Sequence, residues 1–169
     1  MSRTVKAIPD GYHSLTPYLI FRDAAKAIEF YGRAFGAVET CRMNDPQTGK
    51  VMHAELKLGD SMLFLSEENL AYGARSPETL GGSPVTIHHY VEDVDATLAQ
   101  AAEAGATVVM PAMDMFWGDR FGKLTDPFGH NWSIATHIED PTPEQMTERM
   151  AEAFAPQAEC TDGALAPAS

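Results

Sequence analysis

Apolar residues in the first part of the chain change from strand-like to helix-like spacing. The segment LTPYLIF (residues 15–21) is rich in aromatic and branched residues, which favours a strand. In AAKAIEFYGRAF (residues 24–35) apolar residues recur at helical spacing, which predicts an amphipathic helix. Asp23 is a suitable N-cap for this helix, and Gly36 suits the turn that ends it.

Three more strands are predicted after this helix. AVETCRM (37–43) is followed by VMHAELKL (51–58) and SMLFLSEE (61–68), and the last two form a hairpin because Gly59 and Asp60 suit a tight turn. Alternation within VMHAELKL predicts two faces. The face toward the helix has Met52, Ala54, Leu56 and Leu58, and the opposite face has Val51, His53, Glu55 and Lys57.

The second half of the chain repeats this order of elements. Its predicted segments are VTIHHYV (85–91), the helix VDATLAQAAEA (94–104), ATVVMPAMDM (106–115), RFGKLTD (120–126) and HNWSIATH (130–137). The matching pairs are Asp23 with Asp93, 70 residues apart, Gly36 with Gly105, 69 apart, and Gly59 with Gly129, 70 apart. Such a constant offset indicates an internal duplication. We therefore predict an α+β fold of two tandem βαβββ units, which should pair because neither can bury its sheet face alone.

The composition divides the chain further. The predicted segments are an N-terminal arm (1–13), the first unit (14–68), a Gly-, Ser- and Pro-rich linker (69–83), the second unit (84–138), a C-terminal helical extension (139–155) and a disordered tail (156–169). In the extension, Thr142 is a suitable cap for a helix with Pro143 at its first position.

Charge and hydropathy exclude several function classes. The net charge is −12, and the stretch from Glu139 onward holds seven acids and one base, so the rest of the chain is only mildly acidic. No basic patch suggests nucleic acid as a partner. No apolar run approaches the roughly 20 residues that cross a bilayer, so we expect no membrane partner. Cys41 and Cys160 lie far apart, and a reducing cytoplasm is the expected location.

Three stretches resemble one known family. They are TPYLIFRDAAKAIEFYGRAFGA (16–37), MHAELKLGDSMLFLSEE (52–68) and MFWGDRFGKLTDPFGHNWSIATH (115–137). Together they are similar to the vicinal oxygen chelate superfamily, and more closely to its PhnB-like, glyoxalase and bleomycin resistance branch. The resemblance implies two curved mixed sheets around a ligand cavity. It also implies a small-molecule ligand and a homodimer, with units that pair within one chain or between chains.

The resemblance also raises the question of a metal. Relatives that use a metal take one ligand from each of four strands, and placing this chain on that pattern gives Thr16, Phe64, Thr86 and Ser133. None of these is a good ligand for Zn²⁺, Ni²⁺ or Fe²⁺, which prefer imidazole, thiolate or carboxylate groups. We therefore expect no cofactor at the usual position, although a displaced divalent metal site stays open.

Alternation places other side chains in the expected cavity. Tyr18 shares a face with Thr16, His88 and Tyr90 share one with Thr86, and Asn131 shares one with Ser133. His53, Glu55 and His88 could therefore meet. We interpret this trio as candidate catalytic residues, acting as an acid/base constellation or a displaced metal site, because a Glu beside a His can fix its tautomer and raise its basicity. The alternative for each is a structural or solvated role.

Two residues of the WGDR segment are further candidates at the cavity rim. Trp117 could be a stacking wall for a ligand, and Arg120 could anchor an anionic group. The alternative is that Arg120 pairs with Asp119 and that Trp117 fills a dimer contact.

Two functions follow from these candidates. The first is a small glyoxalase-like enzyme, of the lyase or isomerase type, that transfers protons without the usual four-ligand metal site. The second is a non-catalytic protein that sequesters a ligand, as bleomycin resistance proteins do. Part of this branch also carries a methyltransferase name. This sequence contains no loop that would bind S-adenosylmethionine, so we give that activity little weight.

Overall fold

The two halves of the chain form two similar layers in the computed structural model, which describes residues 5–155. The first unit contains β1 (Tyr18–Phe21), α1 (Ala24–Phe35), β2 (Val38–Asn44), β3 (Val51–Leu58) and β4 (Ser61–Glu67). The second contains β5 (Thr86–Tyr90), α3 (Val94–Ala104), β6 (Thr107–Asp114), β7 (Asp119–Thr125) and β8 (Asn131–His137). Between them lie a 3₁₀ turn (Leu70–Tyr72) and the short helix α2 (Pro77–Leu80), and α4 (Pro143–Ala153) follows.

The sheets have the same topology. Their strand orders are β1-β4-β3-β2 and β5-β8-β7-β6. In each sheet the first strand runs parallel to the last, and the other neighbours are antiparallel. The predicted α+β fold with two βαβββ units is therefore confirmed.

Capping residues define the long helix of each unit as predicted. The side chain of Asp23 accepts a hydrogen bond from the backbone N–H of Lys26, and Asp93 does the same for Ala96. Gly36 ends α1 with φ 67°, a left-handed conformation that glycine adopts without steric cost. Since local side chains fix the ends of α1 and α3, their bounds could be read from the sequence.

The core lies between the helices and the sheets and joins the two units. Helix α1 packs against α3. Tyr31 of α1 packs at a tilt against Trp132 of β8, with 5.5 Å between ring centroids, and its hydroxyl donates a 2.5 Å hydrogen bond to Asp126. Asp126 is only 4% exposed, and it also accepts bonds from the backbone N–H groups of Phe128 and His130. The DPFGH turn is thus an inter-unit contact as well as a hairpin turn.

One predicted strand face is wrong at its end. The register of β2 with β3 shifts between the pairs Met43–His53 and Asn44–Val51, which marks a bulge. Val51 is therefore buried in the core, whereas Met52 is 61% exposed. The alternation holds from Ala54 onward.

Regular structure also occurs outside the two units. The predicted linker contains two short helical turns, and α4 begins with a capping box between Thr142 and Gln145. Within residues 5–155, no helix is long and apolar enough to cross a membrane. The predicted tail at 156–169 lies outside the described residues.

Candidate functional site

Each sheet packs one face on its helix and leaves the other face open. On β3 and β4 the fully buried Ala54, Leu56 and Leu65 pack toward α1. The side chains of Tyr18, His53, Glu55 and Phe64 lie on the opposite side, which we call the first open face. The corresponding second open face has His88, Tyr90, Phe121, Lys123 and Ser133.

A hydrogen-bonded chain crosses the first open face. The Tyr18 hydroxyl lies 3.1 Å from Nδ1 of His53, and Nε2 of His53 lies 3.2 Å from Oε1 of Glu55. Phe64 packs edge-on against both Tyr18 and His53, with centroids 5.8 and 5.0 Å apart. Both imidazole nitrogens therefore have partners, and Phe64 restricts the orientation of the ring.

Tyr12 completes this cluster from the N-terminal arm. Its hydroxyl donates a hydrogen bond to Oε2 of Glu55, and its ring packs edge-on against Phe64. This bond, followed by the bond from His53, lowers the pKa of Glu55 against the opposing effect of burial. Sequence reasoning missed Tyr12, because no strand or helix pattern connects residue 12 with residue 55.

The second open face carries a second, separate network around His88. Nδ1 of His88 lies 2.8 Å from the hydroxyl of Ser133. The imidazole meets Tyr90 edge-on at 4.6 Å and lies nearly parallel to Phe121 at 6.1 Å, with 17° between the planes. Lys123 reaches over the same Phe121 ring, with Nζ 5.8 Å from its centroid. This face is thus an aromatic surface bordered by cationic and hydroxyl groups.

A buried carboxylate supports one end of this surface. Asp119 is 4% exposed and accepts hydrogen bonds from the Tyr90 hydroxyl (3.1 Å) and from Nε1 of Trp117 (3.0 Å). His137 binds the other oxygen of Asp119 through Nδ1 at 2.8 Å, and its Nε2 lies 3.1 Å from Asp140. These two carboxylates raise the pKa of His137, Asp119 most strongly. Asp119 and His137 were not among the predicted site residues, although their alternation with Phe121 and Ala135 places them on this face.

The remaining predicted residues are distributed more widely. Arg120 is directed away from the open face, because its guanidinium binds Asp95 at 2.6 Å and Asp114 at 2.8 Å. Arg120 therefore does not pair with Asp119, and its guanidinium does not point into the predicted cavity. Asn131 donates to the backbone carbonyl of Ser83. Thr16 is half-buried just before β1, and Thr86 is exposed at the start of β5.

The structure brings together two members of the predicted catalytic trio. His53 and Glu55 are hydrogen-bonded, whereas His88 belongs to the network of Ser133 on the other sheet. Among residues 5–155, no group of three or more His, Cys, Asp or Glu side chains is arranged to hold a metal ion.

The strand register also tests whether the chain fits a family-type metal site. Phe64 lies opposite Tyr18, and Ser133 lies opposite His88, whereas Thr86 lies opposite Asn131. The ligand positions on β1 and β5 can be moved by two residues, from Thr16 to Tyr18 and from Thr86 to His88, so that they lie opposite Phe64 and Ser133. This change adds only one imidazole to the four candidate metal ligands. The residues present therefore do not fit a four-ligand divalent site, since phenyl and alcohol groups are poor ligands for such ions.

Two grooves open beside the second open face. One has a volume of about 530 Å³ and lies between the start of β1, the linker and β5, with Ile20, Leu80 and Ile87 among its apolar walls. The other, of about 670 Å³, runs along the β3–β4 turn. His88 lines both grooves. Volumes of this size suit small-molecule ligands.

Comparison with known proteins supports a common origin for this architecture. The family model described as "Glyoxalase/Bleomycin resistance protein/Dioxygenase superfamily" matches residues 13–134. An uncharacterized protein of Mycobacterium bovis is 42% identical over 140 residues, which cover 81% of this chain and 91% of that protein.

Solved structures agree with this match. The structure of TioX from Micromonospora sp. ML1 is similar with a TM-score of 0.59 and 26% identity, covering 75% of this chain and 99% of that one. A Bacillus cereus protein, titled "Putative 3-demethylubiquinone-9 3-methyltransferase, PhnB protein", shares the fold with a TM-score of 0.54 at 17% identity, covering 73% of this chain and 99% of that one.

Proposed function

Because the chain belongs to the glyoxalase/bleomycin resistance protein/dioxygenase superfamily, we propose that it binds a small metabolite over its open sheet faces and transfers a proton on it. The observation that carries this proposal is the hydrogen-bonded chain Tyr18–His53–Glu55, which Tyr12 closes at its far end. Fold membership alone does not identify a reaction, so the proposal depends on these side chains.

The arrangement suits a proton relay. With the Nε2 proton of His53 donated to the ionised Glu55, Nδ1 is left to accept the proton of the Tyr18 hydroxyl. Tyr18 is 50% exposed, so its oxygen is the group of the relay that a ligand can reach. Glu55 then stabilises the imidazolium that forms when His53 takes a proton. This chemistry fits the isomerisation or lyase reactions of small carbonyl compounds, in which a proton leaves carbon.

Solvent exchange provides the test. We expect the protein to exchange the acidic C–H protons of at least one compound in a panel of small carbonyl metabolites in D₂O, followed by proton NMR. His53→Ala should lower the exchange rate by about 10²-fold or more, because general acid–base groups contribute factors of this order. Circular dichroism checks that the variant is folded. Exchange that is unchanged in His53→Ala would remove the assigned role.

A second function is favoured by the charge of the same cluster. Glu55 is an ionised carboxylate among the rings of Tyr12, Tyr18 and Phe64, and such a group suits a cationic ligand. Under this alternative the protein sequesters a ligand without turnover. Thermal stabilisation by a cationic antibiotic that disappears in Glu55→Gln, with no proton exchange in the panel, would favour it.

We further propose that the protein is a homodimer. Tyr18, Met43, Tyr90 and Met113 lie on the open faces and are each at least half exposed. A second copy that covers these faces would bury them and close the ligand cavity. Light scattering during size-exclusion chromatography should give twice 18.4 kDa, and a monomer over the micromolar range would contradict the proposal.

A further inference from the structure

The internal duplication allows residues of the two sheets to be compared position by position. In the first sheet, Tyr18, Phe64 and Glu55 lie side by side across three neighbouring strands. In the second sheet, the same three positions hold His88, Ser133 and Lys123. The two rows are structurally equivalent, but the charged side chains at their ends have opposite signs. One row ends in a carboxylate and the other in an ammonium group.

The charged ends of the rows also differ in their partners. Glu55 accepts hydrogen bonds from Tyr12 and His53. Lys123 forms none of the ion pairs found within residues 5–155, and its ammonium group lies against the Phe121 ring. An exposed cation held beside an aromatic face is available to a ligand.

The other two members of the row supply a hydrogen-bond donor. If Nδ1 of His88 donates to Ser133, the Ser133 hydroxyl keeps its own hydrogen, but Ser133 is only 5% exposed. If Ser133 donates to Nδ1, the hydrogen is on Nε2 of His88 and can be donated there. The pair therefore has one polar hydrogen to donate in either neutral tautomer, and in the second tautomer the exposed His88 presents it to a ligand from Nε2, on the face that Lys123 shares.

Nearby carboxylates are bound to groups other than Lys123. Asp119, on the same face, is occupied by Tyr90, Trp117 and His137. Asp95 and Asp114 are bound to Arg120, which is directed away from the face. Within residues 5–155, no carboxylate is paired with Lys123, so its ammonium group can bind an anion even though the whole chain has a net charge of −12.

The geometry points to an anion subsite formed by Lys123, Ser133 and His88, with Phe121 as the adjoining platform. We propose that it binds the carboxylate of a small planar carboxylic acid, with the ammonium group and the donor of the His88–Ser133 pair on its oxygens and the planar body against Phe121. This inference rests on the proposed binding of a small metabolite, whose class it names, but not on the proton relay.

Titration with simple acids tests the subsite. Benzoate is the probe, acetate lacks its planar body, and benzamide lacks its charge. At low salt we expect benzoate to shift the imidazole NMR signals of His88, and acetate and benzamide to bind at least several-fold more weakly. Lys123→Gln should weaken benzoate binding about tenfold or more, because it removes a charge-assisted hydrogen bond, whereas Lys123→Arg should retain most of the affinity.

A matched control is available on the other sheet. Lys57 is an exposed lysine of β3, and Lys57→Gln removes the same charge from the protein, so it should leave benzoate binding unchanged. Equal losses in both lysine variants would show that net charge alone is responsible and would overturn the subsite. Benzamide binding as tightly as benzoate, or benzoate shifting only the His53 signals, would overturn it as well.

The outcome is separable from that of the proton relay. His53→Ala should bind benzoate like the unmodified protein, since His53 is on the first open face. Benzoate binding that depends on Lys123, together with proton exchange that does not depend on His53, would support the subsite and reject the relay.

Discussion

At the scale of single residues, the properties of the candidate site come from hydrogen bonds between segments that are distant in sequence. Glu55 is the clearest case. Its pKa is lowered chiefly by the Tyr12 hydroxyl and next by His53 among the favourable contacts, while burial acts in the opposite direction. A residue of the N-terminal arm thus further favours the ionised state that a proton relay needs.

Tyr12→Phe should therefore raise the pKa of Glu55 toward its ordinary value, because it removes the strongest donor to the carboxylate. Carboxyl ¹³C NMR titration measures this change. A pKa of Glu55 that stays as low as before would contradict the assignment.

The same variant has a defined effect on stability. A carboxylate with a lowered folded-state pKa stabilises the protein above its unfolded-state pKa, and this contribution is lost as the pH falls through the folded-state value. Tyr12→Phe should thus make the free energy of unfolding fall less as the pH is lowered from the unfolded-state pKa of Glu55 through its folded-state pKa. Urea denaturation at several acidic pH values, with Tyr72→Phe as an exposed control, measures the difference.

At the scale of elements, small residues set how closely each helix lies on its sheet. Ala54 on β3 and Gly122 on β7 occupy equivalent positions, opposite Leu65 and Ile134 respectively. A Cβ added at Gly122 would lie 2.6 Å from Cδ1 of Leu98 on α3 and 3.0 Å from the carbonyl oxygen of Met110. Glycine is favoured at this position, because a Cβ would displace the end of the Leu98 side chain and crowd the backbone of β6.

Two glycine-to-alanine changes should consequently have opposite effects. Gly122→Ala should destabilise the protein by about 1–3 kcal/mol, because it overpacks the contact between α3 and β7. Gly32→Ala, on the exposed side of α1, meets only ordinary contacts and should stabilise it by about 0.5–1 kcal/mol through helix propensity. Urea denaturation gives both values, and a neutral Gly122→Ala would mean that α3 is free to shift.

At the scale of the whole molecule, buried polar contacts from the last hairpin hold the two units together. Asp126 of the second unit accepts the hydroxyl of Tyr31 in the first. His130 lies 3.2 Å from the backbone carbonyl of Ile20 through Nε2, and burial lowers its pKa. The relative position of the two open faces depends on these contacts, and so does any cavity between them.

Tyr31→Phe should destabilise the protein by about 2 kcal/mol, because it removes a hydrogen bond to a buried carboxylate while leaving the aromatic packing in place. Tyr72→Phe is the matched control, since Tyr72 is 89% exposed, and it should change stability by less than about 0.5 kcal/mol. Denaturation by urea compares the two. Equal midpoints would show that the Tyr31–Asp126 bond does not contribute to the stability of the folded chain.

The sequence by itself determined the elements and their repetition. Helix bounds, the βαβββ order and the duplication followed from local signals, namely apolar spacing, capping side chains such as Asp23 and Asp93, and glycines at helix ends. The side-by-side placement of His53 and Glu55 also followed from strand alternation, since both face one side of β3. These features depend on neighbours within a few residues.

Only the tertiary structure decided which side chains meet. A one-residue bulge moved Val51 into the core, and competition between partners turned Arg120 to Asp95 and Asp114. Contacts such as Tyr12 with Glu55 join residues that no local period relates, and His88 is hydrogen-bonded to Ser133 and not to the His53–Glu55 pair. Long-range contacts depend on how whole elements pack. The free energy of this packing is shared among many residues that are far apart in the sequence, so no local pattern reveals it.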